Sequence, residues 1–341
     1  MEEQLALTAG NLPDYLKNKG FLTLDEPVSV EKVGDGNINW VRRVRAGAES
    51  WVVKQARPAL ERFPEYRAST ERIVFEARFY QTVAPFDDAQ VCPRVVRFDP
   101  EQRVLVLEDL GDVERLDAAL ARGAEVLAAA TRLARLLGTV HRGSADGALA
   151  EQFANDEMRR LHGDHIFHLP YRDNDFPLST RVAARAAELR ADTALVATID
   201  AAYARYLEPR GCLLHGDVQP ANVLLPAAGP KLLDAEIAHV GDPAFDVGQL
   251  LGHLLLPAAA RGEPAAAGPA LAATWQAYAV AWDGAPPFPL GEAARYGGIE
   301  LLRRTIGAAR VPAVASDEAS LAVIDAGLAW IREEPELHGV G

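Results

Sequence analysis

The sequence predicts an α+β fold with two lobes, a small N-terminal lobe that has an antiparallel sheet plus a helix and a larger, mainly helical C-terminal lobe. Short runs of alternating apolar residues, separated by turns, occupy residues 28–107, a pattern typical of strands. Residues 118–142 and 179–207 are instead rich in Ala and Leu at helical spacing. Residues 213–248 combine acidic side chains with short apolar segments, and we expect the chemistry of the protein to lie there.

Composition narrows the class of protein. The 341 residues, 49% of them hydrophobic and 24% charged, are enough for two lobes that each have a core. A net charge of -13 without a basic stripe argues against binding to nucleic acid or acidic membranes. The N-terminus lacks an apolar signal core and no long apolar run is uninterrupted, so we expect a cytoplasmic protein. Cys92 and Cys212 are expected as buried thiols, not as a disulfide framework.

The first lobe opens with a short helix predicted over residues 4–20, followed by strands over residues 28–33 and 38–44. A glycine turn joins the two strands, and its candidate phosphate contacts are Gly34, Gly36 and Asn37. Because glycine has no Cβ, the backbone N–H groups of such a turn can approach a nucleotide phosphate closely. An ordinary hairpin is the alternative, so this interpretation depends on the strand that follows.

The third strand, residues 50–54, ends in Lys54, one of only five lysines in the chain. A lysine at this position can pair with the α- and β-phosphates of a nucleotide when a carboxylate on the following helix holds it. Our candidate for that carboxylate is Glu76, in a helix predicted over residues 70–83, with Glu71 as the second choice. A solvated surface lysine beside an unrelated acid is the alternative.

Residues 95–99 and 103–107 predict a further hairpin whose second strand runs directly into Glu108-Asp109-Leu110-Gly111. Backbone groups of such a segment, at Glu108 and Leu110, can hydrogen-bond a nucleotide base while apolar side chains cover its faces. We therefore end the first lobe at this segment. The lobes are residues 1–110, the nucleotide-binding sheet, and residues 111–341.

The second lobe contains the tripeptide His215-Gly216-Asp217, with Asn222 five residues after the acid and Asp234 further on. His-x-Asp-x₄-Asn is the catalytic-loop spacing of protein kinases, in which the Asp accepts the proton of the nucleophile and the Asn binds a metal. We expect Asp217 to be catalytic and Asn222 and Asp234 to be oxygen ligands of Mg²⁺. The fold is accordingly predicted to be protein-kinase-like, with the catalytic loop, the metal site and the acceptor pocket in the second lobe.

Two short strands support this arrangement. Residues 223–225 and 231–233 are apolar and are joined by the turn sequence Ala228-Gly229-Pro230. A hairpin of these strands would hold Asn222 and Asp234 close together, as a shared metal requires. An Asp before a turn is commonly only a cap, but the full set of residues favours the catalytic interpretation.

His162, His165 and His168 are three residues apart and are candidate metal ligands. The intervening Gly163 and the lack of nearby cysteines favour a polar or pocket-lining turn instead. Asp246, at the start of a predicted helix, is expected to cap that helix or to brace the catalytic loop.

With these motifs the chain resembles the aminoglycoside phosphotransferase and choline kinase superfamily, protein-kinase-like enzymes that act on small hydroxylated molecules. The resemblance covers nearly the whole chain. Outside the shared His-Gly-Asp motif the chain is most similar to the methylthioribose kinase family. The stretches concerned are residues 33–39, 53–58, 108–110, 157–171, 234–236, 245–249 and 302–307.

The resemblance implies ATP-dependent phosphorylation of the 1-hydroxyl of methylthioribose in methionine salvage, with ATP and Mg²⁺ as cofactors and a homodimer as one assembly. It implies that Asp217 is the catalytic acid and that Glu236 joins Asp234 in an Asp-x-Glu metal site. It also places Lys54 on the phosphates and assigns Arg303 and Arg304 to the sugar pocket, where guanidinium groups can donate to several hydroxyls.

Other acceptors stay open, because residues 219–222 resemble the wider superfamily and Ala235 stands where methylthioribose kinases tend to have proline. A related sugar or another small alcohol, such as choline or homoserine, is an alternative. Aminoglycosides rank lower, since twin arginines would repel a polycation. A choline-type pocket needs an aromatic cage, for which Trp275, Tyr278 and Trp282 are the candidates.

A nucleotide-sensing protein without catalysis is the alternative from a different class. The joint presence of Lys54, Asp217, Asn222 and Asp234 argues against it, because a binder without catalysis could lose any of them. The sequence contains no Gly-x₄-Gly-Lys-Ser/Thr loop, no Gly-x-Ser-x-Gly elbow and no zinc-type Cys/His cluster.

Overall fold

The structure is a computed structural model, and it describes residues 4–21, 27–34, 39–59 and 67–333. The chain divides into two compact units. The first, called the sheet unit below, contains Met1–Ala84 and Cys92–Val113. The second, the helical unit, contains Pro85–Val91 and Glu114–Gly341.

The sheet unit contains a five-stranded antiparallel sheet in the order β1-β2-β3-β5-β4. The strands are β1 (Val28–Lys32), β2 (Trp40–Ala46), β3 (Glu49–Gln55), β4 (Val95–Asp99) and β5 (Val104–Glu108). Helix α1 (Leu12–Asn18) precedes the sheet, and α2 (Arg72–Val83) connects β3 to β4. The unit thus contains the small sheet and helix that the sequence predicts.

The two faces of this sheet are covered by different helices. Val104 and Val106 of β5 belong to a buried cluster with Leu12 and Leu16 of α1. Because side chains alternate along a strand, Leu105 points to the opposite face, and α2 packs against β4 and β5. A strand covered on both faces needs a continuous apolar run, which explains why residues 104–107 are all apolar and buried.

The helical unit is built mainly of longer helices. In chain order the described ones are α3 (Leu116–Ala121), α4 (Leu127–Gly143), α5 (Asp156–Gly163), α6 (Thr180–Ala191), α7 (Thr193–Tyr206), α8 (Ala244–Ala260), α9 (Gly268–Trp282), α10 (Leu290–Ile306) and α11 (Asp317–Arg332). Helix α8 is apolar nearly all round because α9, α10 and α11 pack around it. None of the described helices is long and apolar enough to span a membrane.

Two small two-stranded sheets lie between α7 and α8. One pairs β6 (Cys212–Leu214) with β9 (His239–Gly241), and the other pairs β7 (Val223–Leu224) with β8 (Lys231–Leu232), both antiparallel. The second sheet is the hairpin that the sequence predicts, and it lies within the segment that connects β6 to β9.

Three helix predictions need correction in their bounds. The first helix begins at Leu12 and not at residue 4, because the backbone N–H groups of Leu5 and Leu7 donate instead to the side chains of Gln102 (2.7 Å) and Gln55 (3.0 Å). The predicted helical stretches 118–142 and 179–207 are each two helices. Gly123, with φ of 72°, lies in the first break. Asp192 makes the second, because its side chain caps α7 by accepting from the N–H of Leu195.

Cys92 and Cys212 are both buried, as predicted. The prediction of a two-lobed α+β fold with an antiparallel sheet followed by a largely helical region is confirmed. The assignment of nucleotide binding to residues 1–110 and of catalysis to residues 111–341 stays a prediction.

Candidate active site

Asp217 stands in a sharp turn that follows strand β6. Gly216 adopts φ of 83°, and a Cβ at this position would lie 2.7 Å from the carbonyl oxygen of Ile237. Asp246 of α8 fixes the same turn, since its carboxylate accepts from the backbone N–H groups of His215 (2.7 Å) and Gly216 (3.0 Å). The predicted role of Asp246 as a brace for this loop is confirmed, and only glycine fits at position 216.

The two carboxylate oxygens of Asp217 have different surroundings. Oδ2 accepts hydrogen bonds from the side-chain amides of Gln219 (2.7 Å) and Asn222 (2.8 Å). Oδ1 is buried and has no hydrogen-bond partner in the part of the chain that the structure describes. It lies 3.6 Å from Nε2 of His162, which is too long for a hydrogen bond. One oxygen therefore holds the carboxylate in place while the other is available to a hydroxyl group.

The charges near Asp217 keep it ionised. Burial alone would raise the pKa of Asp217, but the charges of Arg303 and Arg304 and the hydrogen bond from Gln219 outweigh burial and lower that pKa. Burial lowers the pKa of His162 to about 3, so this imidazole is neutral at pH 7. The two arginines are then the cations that hold Asp217 in its carboxylate form.

Asn222 and Asp234 are brought together by the small hairpin, as predicted. The backbone N–H of Leu233 donates to the carbonyl of Asn222 over 2.8 Å, so Asp234 follows directly after the residue that faces Asn222. The ring of His215 also contacts the carbonyl of Leu233, at 3.1 Å. Asp234 adopts φ of 64°, a left-handed conformation that is uncommon outside glycine and often found at functional sites.

The oxygens of this pair suit a magnesium ion. The amide nitrogen of Asn222 donates to the backbone carbonyl (3.0 Å) and to Oδ2 (2.8 Å) of Asp217. Since both partners are acceptors, the orientation of the amide is determined and its oxygen points away from them. Among the described residues no group of three or more His, Cys, Asp or Glu side chains could hold a metal. An amide oxygen and a carboxylate nevertheless match Mg²⁺, which takes its remaining ligands from phosphates and water.

Glu236, the third predicted metal ligand, follows Asp234 by two residues in the sequence and is buried. Its backbone carbonyl accepts from the side-chain amide of Asn155 over 3.0 Å. The geometry does not test its role as a ligand, which stays a prediction.

In the sheet unit, Lys54 and Glu76 form a buried ion pair. Nζ of Lys54 lies 2.7 and 2.8 Å from the two carboxylate oxygens of Glu76, and the hydroxyl of Tyr80 donates to the same carboxylate over 3.1 Å. Glu71, the second choice in the sequence, pairs with Arg103 instead. The partner of Lys54 is therefore the predicted one, while contact with phosphates stays a prediction.

Only part of the predicted nucleotide-binding turn is described. Gly34 adopts φ of 67°, whereas Gly36 and Asn37 lie outside the described residues. Glu108 is the last residue of β5, and its N–H and carboxylate form hydrogen bonds of 3.0 and 2.9 Å with the backbone of Arg94. Leu110 is half-buried, and the base-binding role of the two residues stays a prediction.

Arg303 and Arg304 are buried on α10 and not on a solvated helix face. Both donate to the carboxylate of Glu300, Arg303 from Nη1 over 2.9 Å and Arg304 from Nε over 2.6 Å. Nη2 of Arg304 also donates to the side-chain oxygen of Gln219 over 2.7 Å. Gln219 thereby links Arg304 to Asp217, because its amide nitrogen donates to the catalytic candidate.

Similarity to known proteins agrees with this geometry. Residues 29–288 match the APH phosphotransferase enzyme family. The chain belongs to this family. A methylthioribose kinase from Pectobacterium atrosepticum is 30% identical over 266 residues, which are 73% of this chain and 65% of that protein, slightly less than two thirds. Another from Pectobacterium carotovorum subsp. carotovorum is 30% identical over 352 residues, covering 89% of this chain and 86% of that protein.

Solved structures show the same fold at low sequence identity. A spectinomycin phosphotransferase in complex with ADP and spectinomycin superposes with a TM-score of 0.54 and 12% identity, over 96% of this chain and 99% of that one. A choline/ethanolamine kinase family protein from Mesorhizobium loti gives a TM-score of 0.51 and 18% identity, over 91% of this chain and 90% of that one. These likenesses concern the fold alone.

The aromatic cage weighed for a choline-type acceptor is not formed in this phosphotransferase. Tyr278 is fully buried, it stacks on Trp275 with ring centroids 5.9 Å apart, and its hydroxyl lies 3.1 Å from Nδ1 of His141. Trp282 packs against the same tyrosine ring at 6.2 Å. Trp275 and Tyr278 therefore belong to the helical core and Tyr278 has no exposed surface for a ligand, whereas Trp282 is half-buried.

Two residues of this phosphotransferase site received no role from the sequence. Glu300 precedes the arginines by three and four residues, a helical spacing that favours ion pairs and that could have pointed to it. Gln219 stands two residues after Asp217, so an extended segment places both side chains on the same side. Cavities of about 330 and 760 Å³ lie elsewhere in the helical unit. Asp217, Arg303 and Arg304 line neither of them, whereas Trp282 lines the larger one.

Proposed function

We propose that this phosphotransferase is an ATP-dependent small-molecule kinase that phosphorylates a hydroxyl group, with methylthioribose or a related sugar as the acceptor. The observation that supports this most directly is the Asp217 carboxylate. One of its oxygens is held by Gln219 and Asn222, and the other is buried without a hydrogen-bond partner among the residues described. Such a group is suited to receive the hydroxyl of an acceptor.

In the proposed reaction Oδ1 of Asp217 accepts a hydrogen bond from the acceptor hydroxyl and orients its oxygen toward the γ-phosphorus of ATP. The new O–P bond forms as the bond from phosphorus to the β,γ-bridging oxygen breaks, and ADP leaves without a phosphoenzyme. The hydroxyl proton passes to Asp217. Because the pKa of Asp217 is lowered, it is a weak base and acts mainly by positioning, as a loose phosphoryl-transfer transition state permits.

Other residues would hold the nucleotide and its metal. Asn222 and Asp234, with Glu236 as a further candidate, would ligate Mg²⁺, which when bound neutralises charge on the phosphates. Lys54, fixed by Glu76, would contact the phosphates. Gly34, Gly36 and Asn37 would also contact the phosphates, and Glu108 and Leu110 would bind the base through their backbone groups.

The twin arginines would play different parts toward the acceptor. Arg304 directs its donors to Glu300, to Gln219 and to the carbonyl of Ala309, so it would position the site. Arg303 has a buried Nε without a partner in the described part of the chain and would donate to the sugar. The 30% identity to methylthioribose kinases supports this acceptor over others.

Alternative acceptors fit less well. An aminoglycoside is a polycation and would approach two buried arginines, Arg303 and Arg304, at an electrostatic cost. A choline-type or ethanolamine-type acceptor would need a π-rich cage, whereas Trp275 and Tyr278 stack on each other in the helical core. A nucleotide sensor without turnover would not need the unpartnered oxygen of Asp217.

The test is ADP release with MgATP and a panel of methylthioribose, ribose, choline, homoserine and kanamycin. Asp217→Asn should reduce turnover about 100-fold to 10,000-fold while ADP affinity, measured by calorimetry, stays unchanged. The exposed Asp146→Asn is the matched control and should keep full activity. Turnover of Asp217→Asn at the wild-type rate, or a wild type silent on all five acceptors, would contradict the proposal.

A further inference from the structure

His162 is buried in the helical unit, and neither of its ring nitrogens is hydrogen-bonded to a residue that the structure describes. It lies in the last turn of α5, next to a π-helical turn, Asp164–His168, a feature that is frequent at functional sites. Nδ1 and Nε2 are both buried and have no partner among the described residues. Phe245 contacts the ring in a T-shaped arrangement with centroids 6.3 Å apart, so the imidazole is held by packing and not by polar contacts.

A buried imidazole with two unused nitrogens calls for an explanation, because nearly all buried polar groups in native proteins have partners. A neutral imidazole provides one donor and one acceptor. Nε2 faces Oδ1 of Asp217 across 3.6 Å, and that oxygen also has no hydrogen-bond partner in the described chain. The missing partner of both atoms is therefore expected to be a molecule that enters this site.

The charges around these atoms define what kind of molecule fits. Two acids, Asp217 and Glu300, are linked to two cations, Arg303 and Arg304, through the network of buried hydrogen bonds. The four charges sum to zero, so the group favours an uncharged ligand over an ammonium compound. The unpartnered polar atoms, Oδ1 of Asp217, both nitrogens of His162 and Nε of Arg303, suit a compact ligand with several hydroxyl groups.

We infer that His162 is a specificity-determining residue that hydrogen-bonds a second hydroxyl of the acceptor, adjacent to the hydroxyl held by Asp217. The inference rests on the proposed function and deepens it, since it restricts the acceptor to uncharged molecules with vicinal hydroxyls. Two adjacent hydroxyls of one molecule can reach two protein atoms that lie 3.6 Å apart. An acceptor with a single hydroxyl would leave the imidazole unpartnered and would bind more weakly.

The experiment measures KM and kcat for the panel acceptor that turns over best and for its monodeoxy analogues. His162→Leu should raise the acceptor KM about 10-fold, the effect of one lost hydrogen bond, while the KM for ATP and kcat change little. His162→Gln, which keeps a donor and an acceptor, should restore most of that loss. His168→Leu, on the neighbouring turn, is the matched control and should behave as wild type.

The deoxy analogues test the same contact from the side of the ligand and need only the wild-type protein. The analogue that lacks the hydroxyl next to the phosphorylated position should lose about 10-fold in kcat/KM with wild type and much less with His162→Leu. Equal kcat/KM for the acceptor and all its deoxy analogues would overturn the inference, as would an unchanged acceptor KM in His162→Leu. In either case wild-type turnover would leave the proposed function standing, whereas a wild type silent on the whole panel would overturn both.

Discussion

The two units contain buried charge clusters of different design. In the sheet unit Lys54 meets Glu76, one cation for one anion, with both carboxylate oxygens within 2.8 Å of the ammonium group. In the helical unit the single carboxylate of Glu300 accepts from Arg303 and Arg304 and lies 3.2 Å from His253. Within the described part of the chain, the first cluster pairs one cation with one anion. The second has more cations than anions and is balanced only when Asp217, linked through Gln219, is included.

This difference indicates where ligand selectivity resides. Because the charges of Lys54 and Glu76 balance each other, the two residues can preset the position of a group that binds a feature common to all nucleotides. The cluster around Glu300 instead leaves Nε of Arg303 without a partner among the described residues. A bound acceptor would complete it. We expect substitutions in the two clusters to have different effects on stability and on acceptor choice.

The largest effect is expected from Glu300→Gln, which removes the carboxylate shared by two buried arginines. Breaking a buried charge network from one side costs about 3–5 kcal/mol, because uncompensated charges stay buried. The free energy of unfolding, from urea titration followed by circular dichroism, should fall by this amount. Glu318→Gln is the matched control, since Glu318 makes an ion pair with Arg181 but is 76% exposed, and its unfolding should be that of wild type.

A Glu300→Gln protein as stable as wild type would show that the arginines do not depend on this carboxylate. The balance of charges drawn for the acceptor pocket would then be wrong. Calorimetry should accompany the urea titration, because two units that unfold separately would appear as two transitions.

A smaller loss of stability is expected for Lys54→Met, and a second substitution should recover it. Lys54→Met leaves the fully buried Glu76 with the hydroxyl of Tyr80 as a donor, and we expect a loss of about 3 kcal/mol. Adding Glu76→Leu should recover most of it, because a buried pair replaced by apolar side chains of similar size is often near neutral. Urea unfolding of the single and double variants measures this recovery.

The exposed Lys32→Met, on β1 of the same sheet, is the control for the loss of a lysine and should leave unfolding unchanged. Failure of the double variant to recover stability would mean that the pair is tied into further polar contacts. The ion pair of Lys54 with Glu76 would then no longer differ in kind from the cluster around Glu300.

The contrast also explains what could be predicted from the sequence. Lys54 and Glu76 could be predicted from the sequence because one lies near the end of a strand and the other on the following helix. In this arrangement the carboxylate can hold the lysine in position. Asn222 and Asp234 were found because a short hairpin is a local structure. The five-stranded sheet and the helical region followed from hydrophobic periodicity in the same way.

The rest of the site depends on tertiary packing and could not be predicted from local sequence patterns. Arg303 and Arg304 have the sequence pattern of a solvated helix face, and their burial results from the packing of α10 against α8 and α11, which no local pattern contains. His162 lies 3.6 Å from Asp217 although 55 residues separate them in the chain. The first predicted helical stretch is broken at Gly123, which has a positive φ, and the second at Asp192, whose side chain caps α7. Hydrophobic periodicity does not indicate either feature.

The smallest effect is expected for Asp109, another carboxylate of the sheet unit whose side chain is buried. It concerns the pH dependence of the unfolding free energy. Burial alone would raise the pKa of Asp109, but hydrogen bonds from Ser50 and the Gly111 N–H and the charge of Arg43 together lower it. A lowered pKa means that the folded protein binds this proton less readily than the unfolded chain. Its stabilisation is therefore present above the unfolded pKa of about 3.9 and is lost as the pH falls through the lower folded value.

Asp109→Asn should accordingly flatten the decline of the unfolding free energy below about pH 4, by at most about 1.4 kcal/mol per pH unit and less where solvent screens the charge. Urea unfolding between about pH 3 and pH 6 measures the slope. Asp112→Asn is the control on the same arginine, since Asp112 lies 2.7 Å from Arg43 but is 85% exposed, and it should keep the wild-type slope. Equal slopes for the two variants would show that burial does not distinguish these two carboxylate partners of Arg43.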